Sequence, residues 1–162
     1  MFGGATGGGI SANQTWGLDG GVPTTSSATA YGVGCGTPAL AIASIADPVI
    51  GTTVSALISN TPTSLTGVGL GIGDTFLGGL PILPIDLSVL GMSGCQLLQS
   101  NDAFGLPTTT LTASTAQFDF AIPFALSLIG VHVYAQAYTF APATNALQVI
   151  ASNGIDWTIG NQ

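Results

Sequence analysis

The chain has 162 residues, a net charge of −7 and no Lys or Arg, where average usage would supply roughly 20 basic side chains in this length. Without cations to neutralise phosphates, nucleic-acid binding is excluded, and an anionic membrane surface would repel the protein. All seven acidic residues are Asp, while Gly, Thr, Ser, Val and Ile abound; this composition favours strands and turns over helices.

Residues 1–30 read as a Gly-, Ser- and Thr-rich arm. Five of the first nine residues are glycine, yet Ile10, Trp16, Leu18 and Val22 are large and apolar. Ordering such a segment costs about 1–2 kcal/mol per residue, so it needs compensating contacts. The expectation is that the arm leaves its own domain and lies on a neighbouring copy as an added strand, with Ile10, Trp16 and Leu18 as anchors. Pairing with its own domain is the alternative. Asn13-Gln14-Thr15 is a glycosylation sequon, a triplet that also arises often by chance.

Residues 31–162 read as short strands separated by turns. ALAIASI (39–45) ends at Asp47-Pro48, and TTVSALIS (52–59) stops at Asn60-Thr61-Pro62. SLTGVGLGIG (64–73) places Val68, Leu70 and Ile72 on one face. Its glycines fall on the other, where another backbone or a large ring can approach closely. The stretch 78–94 carries Pro81 and Pro84, which bar it from a central strand; it reads as an ordered loop with an apolar plug. CQLLQS (95–100), TLTAST (110–115) and QFDFAIPF (117–124) follow, the last with a clear period of two. A single helical turn is the reading for PFALSLIG (123–130).

GVHVYAQAY (130–138) alternates, with a polar-aromatic face of His132, Tyr134, Gln136 and Tyr138. ALQVIAS (146–152) and IDWTI (155–159) read as a hairpin closed by Asn153-Gly154. Eight to ten such strands predict an all-β fold, an antiparallel β-sandwich of jelly-roll or Ig-like type. Its expected core includes Phe118, Phe120, Ile122, Val131, Val133, Val149 and Trp157.

Cys35 and Cys95 are either two free thiols or one bridge formed in an oxidising compartment. With one histidine they do not complete a zinc site. A bridge is the expected state, because it closes a long span in a domain that lacks Lys and Arg ion pairs. No apolar run is long enough for a transmembrane helix, and the sequence from Met1 lacks the basic and apolar regions of a signal peptide. The expectation is a mature extracellular or cell-surface form without membrane insertion.

YGVGCG (31–36), GGLPILPIDL (78–87), SGC (93–95), YAQ (134–136), SNG (152–154) and TIG (158–160) occur in series. Together they resemble a β-sandwich domain common in secreted planctomycete and myxobacterial proteins. The resemblance spans Tyr31 to Gly160. It implies export, a Cys35–Cys95 pair and no established catalytic function.

Little in the sequence points to catalysis. His132 is the one histidine, and no G-x-S-x-G elbow accompanies it. GVGLGIGD (67–74) lacks both dinucleotide-loop spacing and a P-loop Lys. Most of the aspartates sit at turns, where they bond nearby amides. No cofactor or metal site is expected; calcium held by turn aspartates from separate loops is the one ion left open. The sequence therefore favours a non-enzymatic structural subunit whose partners are copies of itself, joined into a filament. The alternative is a carbohydrate-binding or adhesive module, with Tyr134 and Tyr138 stacking on glycans.

Overall fold

The computed structural model describes residues 24–162. Its strands are β1 (Ser27–Tyr31), β2 (Ala41–Ser44), β3 (Thr53–Ser59), β4 (Thr66–Gly71), β5 (Ile85–Asp86), β6 (Gln96–Leu97), β7 (Ala103–Pro107), β8 (Thr109–Thr112), β9 (Thr115–Ala121), β10 (His132–Phe140) and β11 (Val149–Thr158). They form a five-stranded sheet in the order β1-β11-β10-β4-β7, a four-stranded sheet in the order β2-β3-β9-β8, and a small β5-β6 ribbon. Every strand pairing is antiparallel. The expected all-β sandwich is the architecture found.

The alternating residues supply its core. Val54, Ala56, Ile58, Ala116 and Phe118 come from the four-stranded sheet; Val68, Leu70, Ala135, Ala137, Ile155 and Trp157 come from the five-stranded one. Trp157 is central. Its ring lies parallel to that of Phe120 at 6.4 Å, and its indole N–H donates to the Ser44 hydroxyl at 2.8 Å. That bond satisfies the indole's polar atom and ties the two sheets together. Of the expected core, Phe118, Ile122 and Trp157 are buried. Phe120, Val133 and Val149 pack against the core while half-exposed, and Val131 is also half-buried. Ile150 holds the fully buried place beside Val149.

Three sequence expectations change. Asn153-Gly154 is not a hairpin turn: it lies inside the continuous strand β11. The register shifts there, with Gln136 opposite Gly154 but Tyr138 opposite Ala151, so the pair sits at a bulge. The Asn153 side chain is used across the sandwich, its carbonyl accepting from the Ile42 amide at 2.9 Å and its amide donating to the Ile42 carbonyl at 3.0 Å. The domain also starts earlier than Tyr31. Residues 27–30, assigned from composition to the arm, form the edge strand β1 on β11 of the same chain. Ser26 extends that attachment by donating its amide to the Gln162 carbonyl. Finally, CQLLQS forms only the two-residue strand β6, and β7 arises where no strand was expected. The turn near residue 126 is a short 3₁₀ segment, Leu126–Leu128.

Candidate functional site

The outer face of the five-stranded sheet does not lie open along its whole length. After β4 the chain passes through β5 and β6, and residues 96–101 lie across that face. The glycines of β4 make this approach feasible. A Cβ on Gly69 would meet the Asn101, Gln99 and Tyr138 side chains; one on Gly71 would meet Gln99 and the Ser100 backbone. The close backbone approach expected on the glycine face is therefore provided by the chain itself.

Gln136 fastens this covering segment. It is fully buried. Its carbonyl accepts from the Leu98 amide at 3.1 Å and from the Tyr138 hydroxyl at 2.9 Å. Its amide donates to the Gln96 and Ser152 carbonyls, each at 2.8 Å. Tyr31 adds a bond from its hydroxyl to the Leu98 carbonyl at 3.0 Å. Burial, and next the Asp74 charge, push the Tyr31 phenol well above its usual range; burial does the same for Tyr138. At the segment's end, the Ser100 hydroxyl and then the Ile72 amide hold the exposed Asp102 below the usual carboxylate range. Cys35 and Cys95 are bonded to each other with Cα atoms 5.1 Å apart. The bridge pins the start of the covering segment to the loop after β1.

Gly154 serves the same packing. A Cβ there would stand 2.5 Å from the Tyr31 ring, whose hydroxyl is already committed. Gly154→Ala is expected to destabilise the domain by about 1–3 kcal/mol, the usual cost of overpacking. Urea unfolding monitored by circular dichroism reads this directly; an unchanged midpoint would show that the ring yields freely.

Beyond the covered region the face presents a row of rings. Tyr134 meets Tyr31 edge-on at 5.9 Å and lies nearly parallel to His132 at 6.1 Å. His132 Nδ1 is 2.8 Å from Asp156 Oδ1, with the Thr158 hydroxyl 3.5 Å away. The Thr158 hydroxyl lies at the limit of hydrogen-bond reach from the ring nitrogen that faces Asp156. Tyr134 thus keeps a half-exposed ring. Tyr138, named with it as a glycan-stacking residue, does not. It is 9% exposed, its hydroxyl is held by Gln136 and its ring is covered edge-on by Phe104 at 5.3 Å.

A second feature lies between the edge strands β1 and β2. One sheet has five strands and the other four, and the mismatch falls here. Asn153 and Trp157 hold β2 above β11, so among the described residues β1 overhangs with no strand opposite it. Ala28 and Ala30 share a face with the core residues Trp157 and Ile155, yet both are exposed. The resulting cleft has a volume of about 470 Å³.

Ile10, Trp16, Leu18 and Val22 lie outside the described residues. Among the described residues, no three His, Cys or Asp side chains are grouped to hold a metal ion, and no helix is long and apolar enough to cross a membrane. Sequence reasoning missed Gln136, Gln99 and Asn153. Their one signal was polar residues interrupting apolar strands, which reads equally well as a solvent face.

The fold and these surfaces define a disulfide-pinned β-sandwich with one sheet face partly covered by its own chain. No family model, curated protein or solved structure matches the sequence.

Proposed function

We propose that the protein is an extracellular, non-enzymatic structural subunit that associates with copies of itself into a filament, using the N-terminal segment as a donated strand. The observation that carries this reading is the state of the sheet edges. β1 (SATAY), β2 (AIAS) and β8 (TTLT) are edge strands with no charged residue and no proline, although Asn153 takes the Ile42 groups of β2; the fourth edge strand, β7 (AFGLP), ends in Pro107. Edge Lys, other charges and Pro are the usual defences against unwanted strand pairing. The surface supports the same reading. Leu65 and Phe104 are exposed beside a groove that also includes Phe140 and Val149, and Phe76, Leu80 and Ile82 are exposed on one loop. With no Lys or Arg in the chain, basic charge does nothing to oppose contact between copies. The disulfide agrees with an oxidising, extracellular compartment. A head-to-tail donation that does not close into a ring propagates as a filament.

Because β1 belongs to the domain, the informative truncation removes residues 1–23 only. The 24–162 protein is expected to remain folded and to sediment as a monomer, while the full-length chain sediments as large species. Equal assembly by both proteins would defeat the reading.

The ring row supports a second reading, glycan binding at Tyr134. Its half-exposed ring stands beside His132 and Asp156, an aromatic surface next to hydrogen-bonding groups. Tyr134→Ala should then abolish glycan retention on an array without altering assembly.

A further inference from the structure

We infer that the rings of Tyr31 and Tyr134, together with the Asp74 carboxylate, form a binding site for a small organic cation: an ammonium group carried on a compact body. The site overlaps that of the second reading above, but it recognises charge, and it does not depend on self-association.

The register of the five-stranded sheet builds the site. On the outer face, Asp156 of β11 stands opposite Tyr134 of β10, which stands opposite Gly71 of β4. Further along, Tyr31 of β1 stands opposite Gly154. Because Gly154 has no side chain, the Tyr31 ring lies over the sheet there and meets Tyr134 with the two planes 83° apart. Two rings set almost at a right angle form two walls of a corner. The Tyr31 hydroxyl is committed to the Leu98 carbonyl, which fixes its ring. Beside Tyr31 the surface sinks into a cavity of about 280 Å³, lined also by Asp74, Pro84, Gln96 and Leu98.

The charge around these rings is negative. Asp74 is exposed and accepts from the Thr75 hydroxyl at 3.1 Å. Among the described residues no basic group pairs with it; the one ion pair there joins Asp156 to His132. Both carboxylates act on both phenols. After burial, Asp74 does most to raise the Tyr31 phenol, with Asp156 contributing less. For Tyr134 the order after burial is Asp156, then Asp74. A cation in the corner meets ring faces that attract it through their quadrupole and carboxylates within Coulomb reach. A neutral sugar gains the stacking alone, and an anion is repelled.

Charge also places the ligand outside this chain. With no Lys or Arg in the sequence, residues 1–23 bring no side-chain ammonium or guanidinium group to the corner, in this copy or another. The net charge of −7 draws cations toward the protein. At about 280 Å³ the cavity falls just below the roughly 300–1,000 Å³ of pockets for drug-sized ligands, so it takes one compact group.

Nuclear magnetic resonance titration of the full-length protein at constant ionic strength tests the site, with glucosamine, choline, glucose and N-acetylglucosamine as probes. Glucosamine, choline or both are expected to bind with a millimolar dissociation constant, and the two neutral sugars about tenfold more weakly. The tighter amine names the source as an amino sugar or a methylated ammonium. Asp74→Asn should weaken that amine about tenfold and Tyr134→Ala about threefold, each with an unchanged circular dichroism spectrum. Asp119→Asn removes the same charge from the other sheet and should change nothing. No binding of either amine at high millimolar concentration would overturn the site. So would amine binding that Asp74→Asn leaves unchanged, or that Asp119→Asn weakens equally, since net charge alone would then explain it. Equal binding of glucose and glucosamine would also overturn it, while leaving the glycan reading of Tyr134 intact.

Discussion

Gln136→Leu is expected to destabilise the domain by about 3–5 kcal/mol. Leu retains the bulk but leaves the Leu98 amide and the Tyr138 hydroxyl without their acceptor, and the Gln96 and Ser152 carbonyls without a donor. Each buried polar group left unsatisfied costs about 1–3 kcal/mol. The loss should appear as a lower urea midpoint. It should also loosen the covering segment over Tyr138, whose phenol burial now holds above its usual range. In the variant the phenol should titrate closer to its ordinary value, which ultraviolet absorbance follows as pH rises. A midpoint within about 0.5 kcal/mol of the unmodified protein, the range typical of surface substitutions, would mean that the network contributes little.

Removing the Cys35–Cys95 bridge should have a comparable effect. The bonded residues are 60 apart in sequence, and closing a loop of that length restricts the unfolded chain by about 4 kcal/mol in the chain-entropy model. Both cysteines are buried, and Cys95 leads directly into β6, so the bridge and Gln136 hold the same segment. The Cys35→Ala, Cys95→Ala double variant is the cleaner test, since Ser would bury hydroxyls. Combined with Gln136→Leu, its cost should fall short of the sum of the separate costs, because groups that restrain one element couple. Full additivity would place the two restraints on independent parts of the fold.

The sandwich was legible wherever one strand face packs on the other sheet. QFDFAIPF alternates because Phe118 and Ile122 point inward while Asp119 stays exposed, accepting from Ser55 and Gln117. The opposite face of the five-stranded sheet was not legible, because a segment distant in sequence covers it. Gln136 and Tyr138 look like solvent residues within β10, and only the arrival of Leu98 and Gln99 makes them buried. Asn153-Gly154 misled for a related reason. Its turn chemistry is genuine, but Asn153 satisfies the edge of β2 and Gly154 admits the Tyr31 ring, so tertiary contacts override the local preference. β1 was hidden because SATAY has no apolar alternation; the residues facing inward are alanines over a cleft.

Electron microscopy of the purified full-length protein tests the central claim most directly. The account predicts linear particles many subunits long, formed without added ligand. A uniform population of 16.0 kDa monomers persisting to the highest soluble concentration would contradict it.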